Sequence, residues 1–287
     1  MVPKLSFNIK FFIAAICMLD RETCVARLRI LGGRDALKNE FPFAVRLELQ
    51  FVTKVWGITQ VKYHPFCTGA ALTPSWILTA AHCDDENVLK LLFHKLITAK
   101  PRKFARYNSY FPNEFGQLSP ITKVLVYPGY CILHSGTIRT GKYDLAMYKT
   151  ENLIVSQYGK ISAIDYGALL GHEAILLGFG RTNATPWEKP LQVLKTIFIK
   201  CGEREGHQFG MLCVVPTCGL EATGCGGDSG GPVVHASGIV GTIHGGGGYC
   251  NEFSHKIIPG RAAGIISMVS PVVDWISNIV NNKTNER

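Results

Sequence analysis

The chain has 287 residues, of which 47% are hydrophobic and 18% charged, and its formal net charge is +9. This composition excludes a disordered chain and allows one large hydrophobic core or two smaller ones. The lysines and arginines are scattered, so we expect neither a nucleic acid nor a membrane as partner. One basic stretch, Lys95 to Arg106, is interpreted as a solvated loop, with a binding patch as the alternative.

Residues 1–19 have the layout of a secretory signal peptide. Lys4 and Lys10 precede the apolar run FFIAAICML, which is too short to span a bilayer. A buried strand or helix is the alternative interpretation. Secretion into an oxidising compartment fits the ten cysteines, and the sequons at Asn183 and Asn282 would be surface glycosylation sites. We therefore expect a secreted, extracellular, disulfide-bonded glycoprotein.

The rest of the chain has the pattern of a many-stranded antiparallel protein. Short β-branched and aromatic runs alternate with Gly, Pro and Asn, and no linker divides them. Only 270–282 has helical spacing, which predicts a C-terminal helix with one apolar face, formed by Val272, Val273, Ile276 and Ile279. The predicted strand segments are 43–52, 75–81, 123–128, 173–179 and 238–243.

Three short motifs suggest nucleophilic catalysis. The stretch GDSGGP at 227–232 surrounds a serine with glycines, TAAHC at 79–83 contains a histidine, and DLAMYKT begins at 144. A G-x-S-x-G motif also occurs in α/β-hydrolases, but there a helix follows the serine and the acid and histidine come later. Here the histidine comes first, then the acid, then the serine. This order disfavours a lipase or esterase.

With these motifs the chain resembles the chymotrypsin-like serine proteases. The resemblance implies that His82 is the general base, that Asp144 holds its imidazole, and that Ser229 attacks the peptide carbonyl. It also implies an all-β fold of two six-stranded antiparallel β-barrels with a C-terminal α-helix and the triad in the cleft between them. The implied domains are a signal peptide (1–19), a propeptide (20–29) and a peptidase domain (30–287), with barrel one at about 30–155, barrel two at about 156–270 and the helix at 270–282.

The resemblance also implies an oxyanion hole and a zymogen switch. The backbone amides of Gly227 and Ser229 would stabilise the oxyanion. Cleavage after Arg29 would free the Ile30 ammonium to pair with Asp228 inside the protein. We therefore expect an inactive precursor.

The implied specificity pocket has Thr223 at its base and Gly246 and Gly264 along its walls. A neutral threonine offers no counter-charge to Arg or Lys, so we expect cleavage after large apolar residues. The enzyme should then depend on a separate trypsin-like protease for activation, with proteins or peptides as substrates and protein inhibitors as candidate partners. The family usually has Ser-Trp-Gly beside this pocket, whereas this chain has His244, Gly245 and Gly246.

The resemblance further implies three disulfide bonds and leaves the partners of Cys24, Cys131 and Cys218 open. We expect no cofactor and no metal, because the corresponding loop of calcium-binding relatives is basic here. A protease homologue that lost efficient catalysis and acts as a binding or regulatory protein remains the alternative function. The implied bridges are Cys67–Cys83, Cys201–Cys213 and Cys225–Cys250.

Overall fold

A computed structural model describes the chain in ranges that begin at residue 33. The predicted signal peptide, the predicted propeptide and both sequons lie outside these ranges. The described residues are 33–56, 58–85, 101–111, 114–135, 138–180, 190–202, 209–217, 222–246, 249–250, 255–256 and 263–281.

The first half of the chain forms strands β1 to β9. In β2, Val45, Leu47 and Leu49 are fully buried at every second position, which is the period-two pattern of a strand with one face in a core. The strands are β1 (Arg34–Asp35), β2 (Ala44–Val55), β3 (Ile58–Thr73), β4 (Trp76–Thr79), β5 (Arg102–Tyr107), β6 (Gln117–Val126), β7 (Cys131–Ser135), β8 (Ile138–Lys142) and β9 (Ala146–Thr150).

The second half forms strands β10 to β17 and one α-helix. The helix, α1 (Val273–Asn281), follows a 3-10 turn at Ser270–Val272. The strands are β10 (Glu173–Gly178), β11 (Gln192–Ile199), β12 (Met211–Pro216), β13 (Pro232–His235), β14 (Gly238–Gly245), β15 (Tyr249–Cys250), β16 (His255–Lys256) and β17 (Gly264–Met268).

Two antiparallel barrels of six strands each result from the pairing. Barrel one closes in the order β2-β3-β4-β9-β6-β5, because β5 pairs back onto β2. Barrel two has the order β11-β10-β13-β14-β17-β12 and closes through β12 and β11. This confirms the predicted all-β fold. The expected division of the chain places residues 34–35 in barrel one. In the structure these residues form β1, which pairs with β11 of barrel two.

The C-terminal helix packs on the core of barrel one. Val272 and Ile276 are each 2% exposed, and the Trp275 ring meets the Tyr127 ring edge to face at 5.3 Å. The α-helix begins at Val273, later than predicted, because Pro271 sits in the tighter 3-10 turn before it. Among the described residues, no helix has both the length and the apolar character needed to cross a bilayer.

The end of the basic stretch belongs to barrel one. Residues 102–107, interpreted from the sequence as part of a solvated loop, form β5, whose Arg106 donates to the buried Glu48 through Nε at 2.8 Å and through a terminal nitrogen at 2.9 Å. Arg46 Nε donates to the same carboxylate at 2.7 Å. Glu48 is 2% exposed, so these two guanidinium groups compensate a charge that burial would otherwise strongly disfavour.

The substitution Glu48→Ala should destabilise the fold by about 2–3 kcal/mol, because it leaves two largely buried guanidinium groups without their carboxylate. Equilibrium urea unfolding measures this. Glu114→Gln is the control, since Glu114 pairs with the exposed Lys38, and the loss there should stay below about 1 kcal/mol. Equal losses for the two variants would show that the Glu48 cluster has no special role.

Candidate active site

Two loops of barrel one bring His82 and Asp144 together. His82 lies in a 3-10 turn, Ala81–Asp84, just after β4, and the Cys67–Cys83 disulfide ties this turn to β3. Asp144 lies between β8 and β9, next to Tyr143, whose φ of 51° turns the chain sharply. The His82 Nδ1 atom lies 2.6 Å from Asp144 Oδ2, and the His82 backbone amide donates to Asp144 Oδ1 at 2.8 Å.

Barrel two supplies a third contact to the same carboxylate. His244 lies on β14, and its Nδ1 atom is 2.5 Å from Asp144 Oδ2. The Asp144 side chain is fully buried, while the side chains of His82 and His244 are 19% and 13% exposed. The rings of the two histidines meet edge to face with their centroids 5.7 Å apart. We refer to Asp144, His82 and His244 as the Asp144 cluster.

The electrostatics of the Asp144 cluster favour an ionised carboxylate. Burial alone would raise the pKa of Asp144, but the charge of His82, the hydrogen bonds from His244 and His82, and the charge of His244 outweigh it. The pKa of Asp144 is therefore held far below its ordinary value. An ionised carboxylate can only accept hydrogen bonds, so both Nδ1 atoms carry protons. In neutral His82 the lone pair then lies on Nε2, where it can accept a proton.

The protonation of His82 responds to the same contacts. Burial lowers the pKa of its imidazole, but the charge and hydrogen bond of Asp144, together with the charge of Asp85, raise it above the ordinary histidine value. A raised pKa makes the imidazole a stronger base, which suits a group that must take a proton from an alcohol.

Ser229 is held against the turn that carries His82. Its carbonyl oxygen accepts from the Thr68 amide at 2.9 Å and lies 3.8 Å from the Cys83 sulfur. Within the described residues, the Ser229 hydroxyl forms no hydrogen bond with His82. The structure therefore joins His82 and Asp144 directly and brings Ser229 beside them through its backbone. Catalytic hydrogen bonds are often long before substrate binds.

The loop around Ser229 leaves two amides available. The amides of Asp228, Gly230 and Gly231 donate to backbone carbonyls at 3.0, 2.7 and 2.9 Å. Those of Gly227 and Ser229 donate to no other described residue. Gly230 requires its glycine, because its φ is +77° and a Cβ there would lie 2.0 Å from the Thr79 hydroxyl. The two available donors are the amides that the resemblance assigns to an oxyanion hole.

The Asp228 carboxylate points away from solvent into the turn at residues 178–180. It is 1% exposed and accepts from the amides of Gly180 at 2.7 Å and Cys225 at 2.8 Å. A Cβ on Gly178 would lie 2.0 Å from its Oδ1 atom. Arg29 and Ile30, which the sequence predicts as the activation site, lie outside the described residues.

The residues predicted to line the specificity pocket lie close together in the described part of the structure. Thr223 is 1% exposed, and its hydroxyl lies 3.3 Å from the Ala263 carbonyl oxygen. A Cβ on Gly246 would lie 2.1 Å from the Gly224 carbonyl oxygen, so the segments that carry these two residues touch. Gly264, the other residue predicted to line a wall, faces the core, where a Cβ would meet Leu176 and Val214 at 3.4 Å each. We therefore use the name pocket walls for Gly224 and Gly246.

Two of the three implied disulfides lie within the described residues. The sulfurs of Cys67 and Cys83 are bonded, and so are those of Cys201 and Cys213, which link the end of β11 to β12. Cys225 is also disulfide-bonded, while the Cys250 side chain lies outside the described part of the structure. Cys24 and Cys218 lie outside it as well.

The Asp144 cluster also offers three atoms that metals bind, within 4.8 Å of one another. Both Nδ1 atoms already donate their protons to one carboxylate oxygen, so a metal ion would have to replace two hydrogen bonds beneath a fully buried side chain. The arrangement suits proton transfer better than metal coordination.

Comparison with known proteins identifies the family. The family model named Trypsin matches residues 30–276. The chain belongs to the trypsin family. Its relatives include chymotrypsin-like elastase family member 1 of Canis lupus familiaris (23% identical, covering 88% of this chain and 92% of the relative) and trypsin 5G1 of Aedes aegypti (26%, 88% and 85%).

A solved structure supports the trypsin fold. Neuropsin, a serine protease expressed in the limbic system of mouse brain, superposes with a TM-score of 0.61 at 18% identity, covering 87% of this chain and 99% of that chain. Membership of the trypsin family supports a serine endopeptidase. It confirms the family that the motifs of His82, Asp144 and Ser229 indicated.

Two functional contacts of this trypsin-family chain were not predicted from the sequence. His244 was noted only as a departure beside the pocket, and its contact with Asp144 was missed. Thr68 was not singled out, although its hydroxyl donates to the Gly227 carbonyl at 2.9 Å and accepts from the Phe179 amide at 3.0 Å. The sequence offers one signal for the His244 contact, a histidine where the family usually has serine. It offers no signal for the contacts of Thr68.

The raised pKa of His82 can be measured directly. An NMR titration of the histidine ring protons should show His82 still protonated at a pH where an ordinary histidine is neutral, and Asp144→Asn should lower that pKa. His64 is the internal reference, because burial and the charge of Lys62 lower its pKa and Asp144→Asn should leave it in place. A His82 pKa below that of His64 would contradict this account.

Proposed function

We propose that this chain is a secreted serine endopeptidase, made as a precursor and activated by cleavage after Arg29. The observation that carries the proposal is the hydrogen bond from His82 Nδ1 to the buried Asp144, formed beside the loop of Ser229 in a trypsin-family chain. That bond leaves Nε2 of His82 as the basic atom. The predicted signal peptide and the disulfide bonds support secretion.

The proposed reaction has two halves. The Ser229 hydroxyl attacks the peptide carbonyl carbon while His82 Nε2 takes its proton, and the amides of Gly227 and Ser229 bind the oxyanion. The C–N bond then breaks, the amine leaves with the proton from His82, and an acyl-enzyme remains on Ser229. Water attacks the ester in the same way and frees the carboxylic acid. Asp144 keeps its negative charge throughout and stabilises the imidazolium.

The contacts of Asp228 support the proposed activation. Its carboxylate is buried, and its neighbour Ser229 carries the nucleophile. A new ammonium at Ile30 would pair with this carboxylate, and movement of Asp228 would shift the adjacent amides of Gly227 and Ser229. Contact between the pocket walls agrees with an uncut chain that is not yet ready to bind substrate.

The proposed preference is for large apolar side chains at the residue before the cleaved bond. Thr223 is neutral, and its hydroxyl already contacts the Ala263 carbonyl, so a buried lysine or arginine would find no compensating charge. The glycines at both pocket walls would leave room for a flat ring once these walls separate. Because the Leu28-Arg29 sequence does not fit such a pocket, activation requires a different, trypsin-like protease.

The alternative is a protease homologue that binds partners without efficient catalysis. It is favoured by the contact between the pocket walls and by the missing hydrogen bond between Ser229 and His82 among the described residues. Both observations also fit an uncut precursor. The behaviour of the cleaved chain separates the two functions.

Cleavage after Arg29 should make Ser229 reactive. The cleaved chain should be labelled by a fluorophosphonate at Ser229, whereas the uncut chain should be labelled at least about 10²-fold more slowly, because the proposed pair of Ile30 with Asp228, which would fix the oxyanion donors, has not formed. Arg29→Gln, which keeps the chain uncut, and Ser229→Ala, which should lower kcat at least about 10⁴-fold, are the controls. No labelling of the correctly cleaved chain would favour the non-catalytic homologue.

The preference of the activated chain can be read from a peptide library. Peptides with Phe, Tyr, Leu or Met before the cleaved bond should be hydrolysed with kcat/KM at least about 10²-fold higher than the same peptides with Arg or Lys. Thr223→Asp should shift the preference toward Arg and Lys. Faster cleavage after Arg in the unaltered chain would refute the assignment of the pocket base.

A further inference from the structure

We propose that His244 is a positioning residue that orients the Asp144 carboxylate toward His82 and so helps to hold His82 as a base. The proposal rests on the proposed function for its kinetic consequences but not for its geometry. It concerns the position where trypsin-family chains usually carry a serine.

The first argument is geometric. The Asp144 Oδ2 atom accepts from Nδ1 of His82 at 2.6 Å and from Nδ1 of His244 at 2.5 Å, so one oxygen is held between two imidazoles. Oδ1 is held by the His82 amide at 2.8 Å. Two of these three donors come from barrel one, and His244 is the donor from barrel two. Without it, the carboxylate could rotate away from the plane in which it meets His82.

The second argument is the charge of the Asp144 cluster. Asp144 carries one negative charge in a site where the side chains of His82 and His244 are both more than four-fifths buried, so its oxygens need donors from the protein. His244 supplies one of these donors from a ring whose centroid lies 5.7 Å from that of His82. This hydrogen bond favours the ionised carboxylate, which in turn raises the pKa of His82.

Among the described residues, Asp144 is the charged group that His244 contacts. On the paired strands, β17 carries no titratable side chain, and His235 of β13 lies at the opposite end of β14, next to Gly238. Of the other described groups, Asp85 acts on His82, and burial and the charges of Asp84 and Asp144 raise the pKa of Tyr148. A neutral Tyr148 adds no charge to the cluster.

Variants at this position distinguish a positioning role from simple space filling. Asparagine can place its Nδ2 donor where His244 has Nδ1, and it does not titrate. Leucine fills similar space without a donor. His244→Leu should lower kcat about 10- to 100-fold with little change in KM, because it removes a hydrogen bond to a buried charge away from the bound substrate. His244→Asn should recover most of that loss.

The decisive experiment combines these kinetics with an NMR titration of ¹⁵N-labelled histidines. In Ser229→Ala protein, adding His244→Leu should lower the pKa of His82, because the Asp144 carboxylate is no longer held toward its ring, and His244→Asn should leave that pKa close to its value in the Ser229→Ala protein. His235→Leu is the control, because that side chain contacts His172 and Ser237 instead of the Asp144 cluster. Thermal unfolding checks that each variant is folded.

Each outcome has a defined meaning. An unchanged His82 pKa in His244→Leu, or equal kcat values for His244→Leu and His244→Asn, whether both high or both low, would overturn the positioning role. If the cleaved chain is inactive at every pH, the proposed function fails, and the effect of His244→Leu on the titration of His82 still decides the inference about His244.

Discussion

The fully buried charge of Asp144 is the constraint on which the rest of the site depends. Burying a carboxylate is unfavourable unless donors surround it, and here the donors are one backbone amide and two imidazoles. Satisfying this charge fixes the tautomer of His82, because an ionised carboxylate can only accept. The hydrogen bonds that allow the Asp144 carboxylate to be buried therefore also leave Nε2 of His82 as the basic atom.

Hydrogen bonds between the two barrels complete the site that His82 and Asp144 begin within barrel one. His244 of barrel two contacts Asp144 of barrel one, and Thr68 of barrel one holds the Gly227 and Ser229 carbonyls of barrel two. These bonds lie in the cleft, where neither barrel alone completes the arrangement. Loss of a donor such as Thr68 would therefore loosen the alignment of the nucleophile loop with His82, even though the core of each barrel stays intact.

The sequence predicted features that depend on local pattern and missed those that depend on distant contacts. The β-branched and aromatic run at 43–52 predicted most of β2, and the helical spacing at 270–282 predicted α1 apart from the 3-10 turn before it. The hydrogen bond between His244 and Asp144 joins residues that are 100 positions apart, so no periodic pattern in the sequence indicates it. The contact between the pocket walls was likewise missed, because glycines at Gly224 and Gly246 permit both an open and a closed approach of the backbone.

Strand β14 connects the pocket to the proton-transfer site. It ends at Gly245, directly after His244 and directly before the pocket wall residue Gly246. The pairing of β14 with β17 shifts its register between Ile243 and Gly245, so the strand is irregular at this point. His244 at this irregularity bonds to Asp144, and Gly246, two residues further on, lies against Gly224. One short stretch of backbone therefore contributes both to the Asp144 cluster and to the predicted pocket.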